Sequence, residues 1–122
     1  MTAKGQKVTL VGADGRIVCE RCTIADGVVS RARGLLGKSE LPAGEGLLLR
    51  PTFSIHTFFM RFPIDAVFLD RSGTVIDVVR HLRPWRGATR FRARAVLEVA
   101  AGEADRLRLS AGERLKPAEV AT

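Results

Sequence analysis

Apolar residues along the chain recur in short runs broken by Gly, Pro and Asp, and most runs carry the two-residue alternation of strands. Residues 7–12 (Lys-Val-Thr-Leu-Val-Gly) and 16–24 (Arg-Ile-Val-Cys-Glu-Arg-Cys-Thr-Ile) flank Asp14-Gly15. Asp-Gly between two β-prone runs predicts a hairpin, because Gly accepts a positive φ without steric cost. Asp26 predicts the N-cap of a short helix reaching about Leu36, with Val28, Val29, Ala32, Leu35 and Leu36 on one side and Gly37 as its stop. Leu47–Leu49 predicts a short buried strand interrupted by Pro51, and residues 53–62 read as an extended run that is apolar on both faces. Residues 64–70 and 74–82, joined by Arg71-Ser72-Gly73, predict a second hairpin. Ala95–Val99 predicts another strand, Glu103–Leu109 a second short helix, and Leu115 lies in a last extended piece.

Hairpins outnumber βαβ units in this pattern. The expected fold is therefore α+β: a mainly antiparallel, strongly curved or barrel-like sheet with two short helices. The 122 residues fit a single domain over 1–122, without internal repeats or a linker. Hydrophobic residues at 46% and charged residues at 27% exclude a disordered or fibrous chain. The stretch Met1–Lys7 lacks the apolar core of a secretory signal, and no apolar run approaches the length of a membrane span. A soluble cytoplasmic protein is expected, whose two Cys are thiols rather than a disulfide framework.

Charge adds a feature that hydropathy misses. The net charge is +7, and Arg supplies 16 of the 20 basic residues. Six of these Arg (80, 83, 86, 90, 92, 94) fall between Arg80 and Arg94 with no carboxylate among them, leaving the rest of the chain at +1. Pro84 and Gly87 predict a loop in the middle of this segment. Trp85 and Phe91 are interleaved with the Arg, a combination that stacks on flat rings and clamps anions. Arg90, Arg92 and Arg94 alternate as if on one face of an exposed edge strand.

Several motifs occur in a fixed order: Arg31-Ala-Arg-Gly-Leu-Leu-Gly37, Gly46-Leu-Leu-Leu49, and Ile55-His-Thr-Phe-Phe-Met-Arg-Phe-Pro-Ile-Asp-Ala-Val-Phe-Leu-Asp70. Gly73-Thr-Val75, Leu82-Arg-Pro-Trp-Arg86 and Val96-Leu-Glu-Val-Ala-Ala-Gly102 follow. Over about residues 18–116 the chain resembles the domain of unknown function 192 family of small bacterial and archaeal proteins. Met60, Pro63, Asp65 and Phe68 are the specific core of the match. Lys38 and Glu113 stand where the family often has Arg and Asp. The resemblance implies a compact, mainly β domain with a short helix after the first hairpin, and it transfers no catalytic set.

Candidate chemistry must come from the residues themselves. Asp65 lies in an apolar strand, where a carboxylate is costly unless paired or hydrogen-bonded. Its candidate partners are Arg61, His56, Arg33 and backbone N–H groups beside Pro63. It reads either as a structural acid that organises a turn or as a general base in a pocket. His56 shares strand parity with Phe58, Met60 and Phe62, and it forms a minimal acid–base unit if it reaches Asp65. Cys19 and Cys22, three apart on a strand, should point to opposite faces, and four zinc ligands cannot be assembled at regular spacing. Gly34-Leu-Leu-Gly37 and Gly44-Glu-Gly46 lack the order of a phosphate-binding loop. No metal and no cofactor are expected.

The leading expectation is a small soluble binding module. Its anion site would join Arg61, Arg83 and Arg86 to Trp85, with His56 and Asp65 at the floor. An enzyme using His56 and Asp65 as an acid–base pair, and an interaction protein docking an acidic partner through its basic loop, are the alternatives. The partner expected is an anionic small molecule or an acidic protein, with nucleic acid in second rank and no membrane.

Overall fold

The structure, a computed structural model, describes residues 6–25 and 39–118. The helix expected from Asp26 to Leu36 lies outside the described residues. Strands β1 (Lys7–Val11) and β2 (Ile17–Ala25) pair antiparallel across the Asp14-Gly15 turn, as the turn chemistry requires. Then come β3 (Glu45–Leu49), β4 (Ser54–His56), β5 (Ile64–Leu69), β6 (Val75–Leu82), β7 (Gly87–Thr89) and β8 (Ala95–Ala100). The short helix α1 (Glu103–Arg106) and the strand β9 (Lys116–Pro117) complete the described elements.

Seven strands form one sheet in the order β6-β5-β8-β3-β2-β1-β9, while β4 and β7 form a separate small sheet. The sheet is mixed: mainly antiparallel, as expected, with one parallel pair. β3 runs parallel to β2, from Arg21↔Glu45 to Ala25↔Leu49, because the chain crosses over between them instead of turning back directly. Among the described residues α1 is the one helix, and it ends three residues before the expected Glu103–Leu109 span does.

The sheet curves strongly without closing into a barrel. Residues 112–117 touch both of its edge regions. Lys116 and Pro117 pair with β1, while Thr74 and Arg114 form an isolated bridge at the start of β6. Val75 N–H donates to the Glu113 carbonyl at 2.7 Å, and Leu115 N–H donates to the Gly73 carbonyl at 2.9 Å. Gly73 is required at this seam. Its φ is +87°, and a Cβ there would sit 2.6 Å from the Leu115 carbonyl oxygen.

Strand β5 is buried along its whole length and separates two apolar clusters. Val67 and Leu69 join Leu48, Leu97, Val99 and Leu115 on one side. Ile64, Ala66 and Phe68 join Leu49, Met60 and Val96 on the other. Burial of each large apolar side chain contributes about 1.5–3 kcal/mol. Four register shifts adjust this sheet, two between β1 and β2 and two between β5 and β6. Between β1 and β2 the register steps from Val8↔Cys22 to Leu10↔Cys19, and between β5 and β6 it steps from Ile64↔Leu82 to Ala66↔Val79.

The run 53–62 is not one strand. Only Ser54–His56 pairs, with Gly87–Thr89, and the chain then turns through Phe59 at φ 67°. The bulky rings there leave the core: Phe53, Phe58 and Phe59 are exposed, while Ile55, Thr57 and Met60 point inward.

Candidate functional site

The small sheet places two turns side by side, residues 57–60 after β4 and 83–86 before β7. Thr57, fully buried, locks them together. Its hydroxyl donates to the Arg83 carbonyl at 2.6 Å and accepts from Arg86 N–H at 2.9 Å. Its backbone N–H donates to the Arg86 carbonyl at 2.8 Å, and its carbonyl accepts from Trp85 N–H at 3.0 Å. Phe59 and Trp85 both take left-handed backbone angles, with φ of 67° and 66°. Non-glycine residues in this region cost free energy, and the Thr57 hydrogen bonds hold them there.

The result is a continuous row of exposed rings. His56 stacks on Phe58 with centroids 4.8 Å apart, Phe58 lies 5.9 Å from Trp85, and Phe59 meets Trp85 at 4.6 Å. Trp85 is 55% and Phe59 69% exposed, unusual values for such large apolar groups on a well-buried domain. Arg83 and Arg86 bracket Trp85, and Arg61 follows the first turn. All three are exposed. The Arg86 guanidinium donates only to the Trp85 carbonyl at 3.3 Å, and none of the three meets a carboxylate among the described residues. Flat faces beside uncompensated guanidinium groups are suited to a ligand that combines a ring with negative charge.

The rest of the basic segment behaves differently. Arg80 is paired with Asp105 at 2.7 Å and Arg90 with Asp77 at 2.6 Å, carboxylates brought in from outside the segment. The Arg90 guanidinium holds the Asp77 carboxyl below the usual carboxylate range. Arg90, Arg92 and Arg94 do not alternate on a strand as expected. β7 ends at Thr89, and the chain then turns so that Ala93 N–H reaches the Arg90 carbonyl at 2.8 Å. Phe53 and Phe91 meet at 5.4 Å at this end of the small sheet.

Asp65 and His56 do not come together. Asp65 is 1% exposed, and its carboxylate accepts three backbone N–H groups: His81 at 2.8 Å, Gly102 at 2.9 Å and Ala104 at 2.9 Å. Arg61 and His56 are not among its partners, and Arg33 lies outside the described residues. The β6 bulge opposite Asp65 frees the His81 N–H, and the start of α1 has no side-chain cap of its own. Asp65 meets both needs at once. His56 is exposed, and its Nδ1 accepts from Phe58 N–H at 3.2 Å.

The two cysteines are both buried, in the same apolar cluster. The expectation of opposite faces fails because the bulge in β2 inserts one residue between them and reverses the parity. Contact between the thiols pushes Cys19 down and Cys22 up. Among the described residues no group of three or more His, Cys, Asp or Glu side chains is arranged to hold a metal.

Glu98 escaped the sequence reading. It lies in the middle of β8 between Leu47 of β3 and Ala66 of β5, 3% exposed. No hydrogen bond or ion pair joins its carboxyl to another described residue, and burial pushes it up to about 8. A lone acid within Val96-Leu-Glu-Val99 was the available signal.

Among known proteins, the family model DUF192, "Uncharacterized ACR, COG1430", matches residues 9–117. A UPF0127 protein of Pyrococcus horikoshii is 37% identical over 97 residues, covering 76% of this chain and 84% of that one. A UPF0127 protein of Thermococcus sibiricus is 34% identical over 106 residues, covering 83% of this chain and 68% of that one. A Novosphingobium aromaticivorans structure of unknown function superposes with a TM-score of 0.78 at 24% identity, over 90% of this chain and 83% of that one. A Sinorhizobium meliloti structure, named as a candidate transcription regulator, gives 0.83 at 23% identity over 96% and 98%. These two likenesses establish the fold alone. No helix among the described residues is long and apolar enough to cross a membrane. The family match spans the main sheet, the small sheet and α1 together, and the chain belongs to the DUF192 family.

Proposed function

We propose that this protein is a small binding module whose ligand is an anion carrying a flat ring, such as a nucleotide. The observation that carries this reading is the Thr57 clamp, which sets exposed Phe58, Phe59 and Trp85 beside Arg83 and Arg86. Ring stacking supplies orientation, and the guanidinium forks take the phosphate or carboxylate. Arg61 serves as the third cation of the site. His56 extends the ring row and needs no proton transfer to do so.

Trp85 is the sole Trp, so its fluorescence reads the site directly. At low salt, nucleotides should quench it saturably, and the Arg83→Ala/Arg86→Ala double variant should bind at least tenfold more weakly, since a charged hydrogen bond contributes about 1.5–3 kcal/mol. Inorganic polyphosphate tests charge without the ring. Absence of saturable quenching by any of these, or equal binding by the double variant, overturns the proposal.

A second reading is favoured by the composition of the same face: exposed Trp and Phe with Arg are the residues that anchor protein interfaces. In that case an acidic protein docks where the nucleotide would, and binding weakens steeply with salt.

A further inference from the structure

Away from the small sheet, the curved sheet opens at one end into a cavity of about 590 Å³. This size falls within the roughly 300–1,000 Å³ typical of small-molecule sites, and the mouth of a curved or barrel-like sheet is a common place for one. Its floor is the main apolar core: Leu10, Ile24, Leu48, Leu69 and Leu115. Its rim is cationic. Arg71, Arg94, Arg114 and Lys116 line it, all exposed, and none is paired with a carboxylate among the described residues. Arg50 lines it as well.

Main-chain contacts aim two of these cations. Arg114 Nε donates to the Ser72 carbonyl at 3.0 Å, and Arg94 Nη1 donates to the Ala93 carbonyl at 2.9 Å. These bonds orient each guanidinium without cancelling its charge. The acid on the rim, Asp70, already serves its own turn, accepting from Ser72 N–H at 2.8 Å and Thr74 N–H at 3.0 Å. A neighbouring hollow of about 480 Å³ shares Arg71 and Arg94 and adds Arg92. Positive charge therefore converges where the two hollows meet, over an apolar floor.

We propose that this mouth binds a single-chain amphiphile with an anionic head, the tail on the Leu and Ile floor and the head between Arg71 and Arg94. An apolar cavity alone would accept any tail; the unpaired rim cations select the sign of the head. Carboxylate and phosphate heads share the chemistry that the forks recognise. This site is separate from the aromatic face, so it stands or falls independently of the function proposed above.

Calorimetric titration below the micelle threshold tests it with dodecanoate, dodecyl phosphate, dodecanol and dodecyltrimethylammonium. One saturable site is expected for the two anions, with the stronger of them naming the head group. Dodecanol and the cationic amphiphile should bind at least tenfold more weakly, and octanoate more weakly than dodecanoate. Arg71→Ala/Arg94→Ala, both surface positions, should lose at least tenfold for the anions while melting like the parent. Arg83→Ala/Arg86→Ala should bind them unchanged. No saturable binding of either anion, equal binding of dodecanol, or indifference to the Arg71/Arg94 change would each overturn the proposal.

Discussion

Arg16 grips Glu113 with both arms of its guanidinium, Nη1 at 2.6 Å from Oε2 and Nη2 at 2.8 Å from Oε1. Nε and Nη2 also donate to the Leu107 carbonyl, at 3.0 and 2.7 Å. The first hairpin turn is thereby tied to the chain that follows α1. The Glu113 side chain is well covered. The pairing raises the Arg16 pKa, Glu113 being the main cause. Arg16→Lys should cost about 1–2 kcal/mol despite keeping the charge, since a point-like ammonium cannot reproduce the fork. Urea midpoints for Arg16→Gln, Glu113→Gln and the double variant should give a coupling of about 0.5–3 kcal/mol. Additive single effects would mean that the pair is a surface contact without energetic weight.

Thr57→Val keeps the shape of the clamp and removes its hydroxyl. The part-buried Arg83 carbonyl and Arg86 N–H then lose this partner, at a cost of about 1–3 kcal/mol. The turn holding Trp85 should loosen, seen as a change in Trp emission and faster quenching by acrylamide. Thr57→Ser should restore both. Parent-like emission in Thr57→Val would show that the rings are held by something other than this hydroxyl.

Asp65→Ala strips three backbone N–H groups of the acceptor that this buried side chain supplies. The expected loss is at least about 3 kcal/mol, or on the order of 10 °C in melting temperature for a chain of this size. Hydrogen exchange should accelerate at His81, Gly102 and Ala104 first. A parent-like melting curve would contradict the role assigned to the carboxylate.

Glu98 gives the protein a pH dependence of defined sign. Burial pushes its carboxyl up to about 8 in the fold, against about 4.5 for the free side chain. Between these values the folded chain holds a proton that the unfolded chain releases, so stability falls as pH rises from about 5 to 8. Below that window the group imposes no titration penalty; above it the penalty is complete. Glu98→Gln should melt with a flatter profile from pH 5 to 8 and gain most over the parent at pH 8. Asp77 and Glu103, each held low by an Arg, act at the other end, where stability is lost as acid protonates them. Parallel profiles for parent and variant would exclude Glu98 as the source.

Local chemistry made much of this fold readable. Both hairpins follow from their turn residues, and the burial of β5 on two faces follows from a run that is apolar at every position but Asp65. What escaped is non-local. The bulge that puts Cys19 and Cys22 on one face leaves no mark between them in the sequence, and the three donors to Asp65 come from β6 and the start of α1. Residues 53–62 misled because apolar rings usually go inside, whereas Phe58 and Phe59 are turned outward by Thr57. The grouping of Arg83, Trp85 and Arg86 was legible from spacing alone. That Arg80 and Arg90 are engaged by Asp105 and Asp77 was not, because the acids sit in other elements.

The pairing of β1 with β9 also has a consequence in time. Leu10 leaves the ribosome long before Pro117, its neighbour in the sheet. Until Lys116 and Pro117 emerge the outer edge of β1 has no strand to meet, and such edges invite pairing with other chains. Contacts this distant in sequence are the slow ones to form. Covering of the β1 edge therefore waits on Lys116 and Pro117, which pair with the strand made more than a hundred residues earlier.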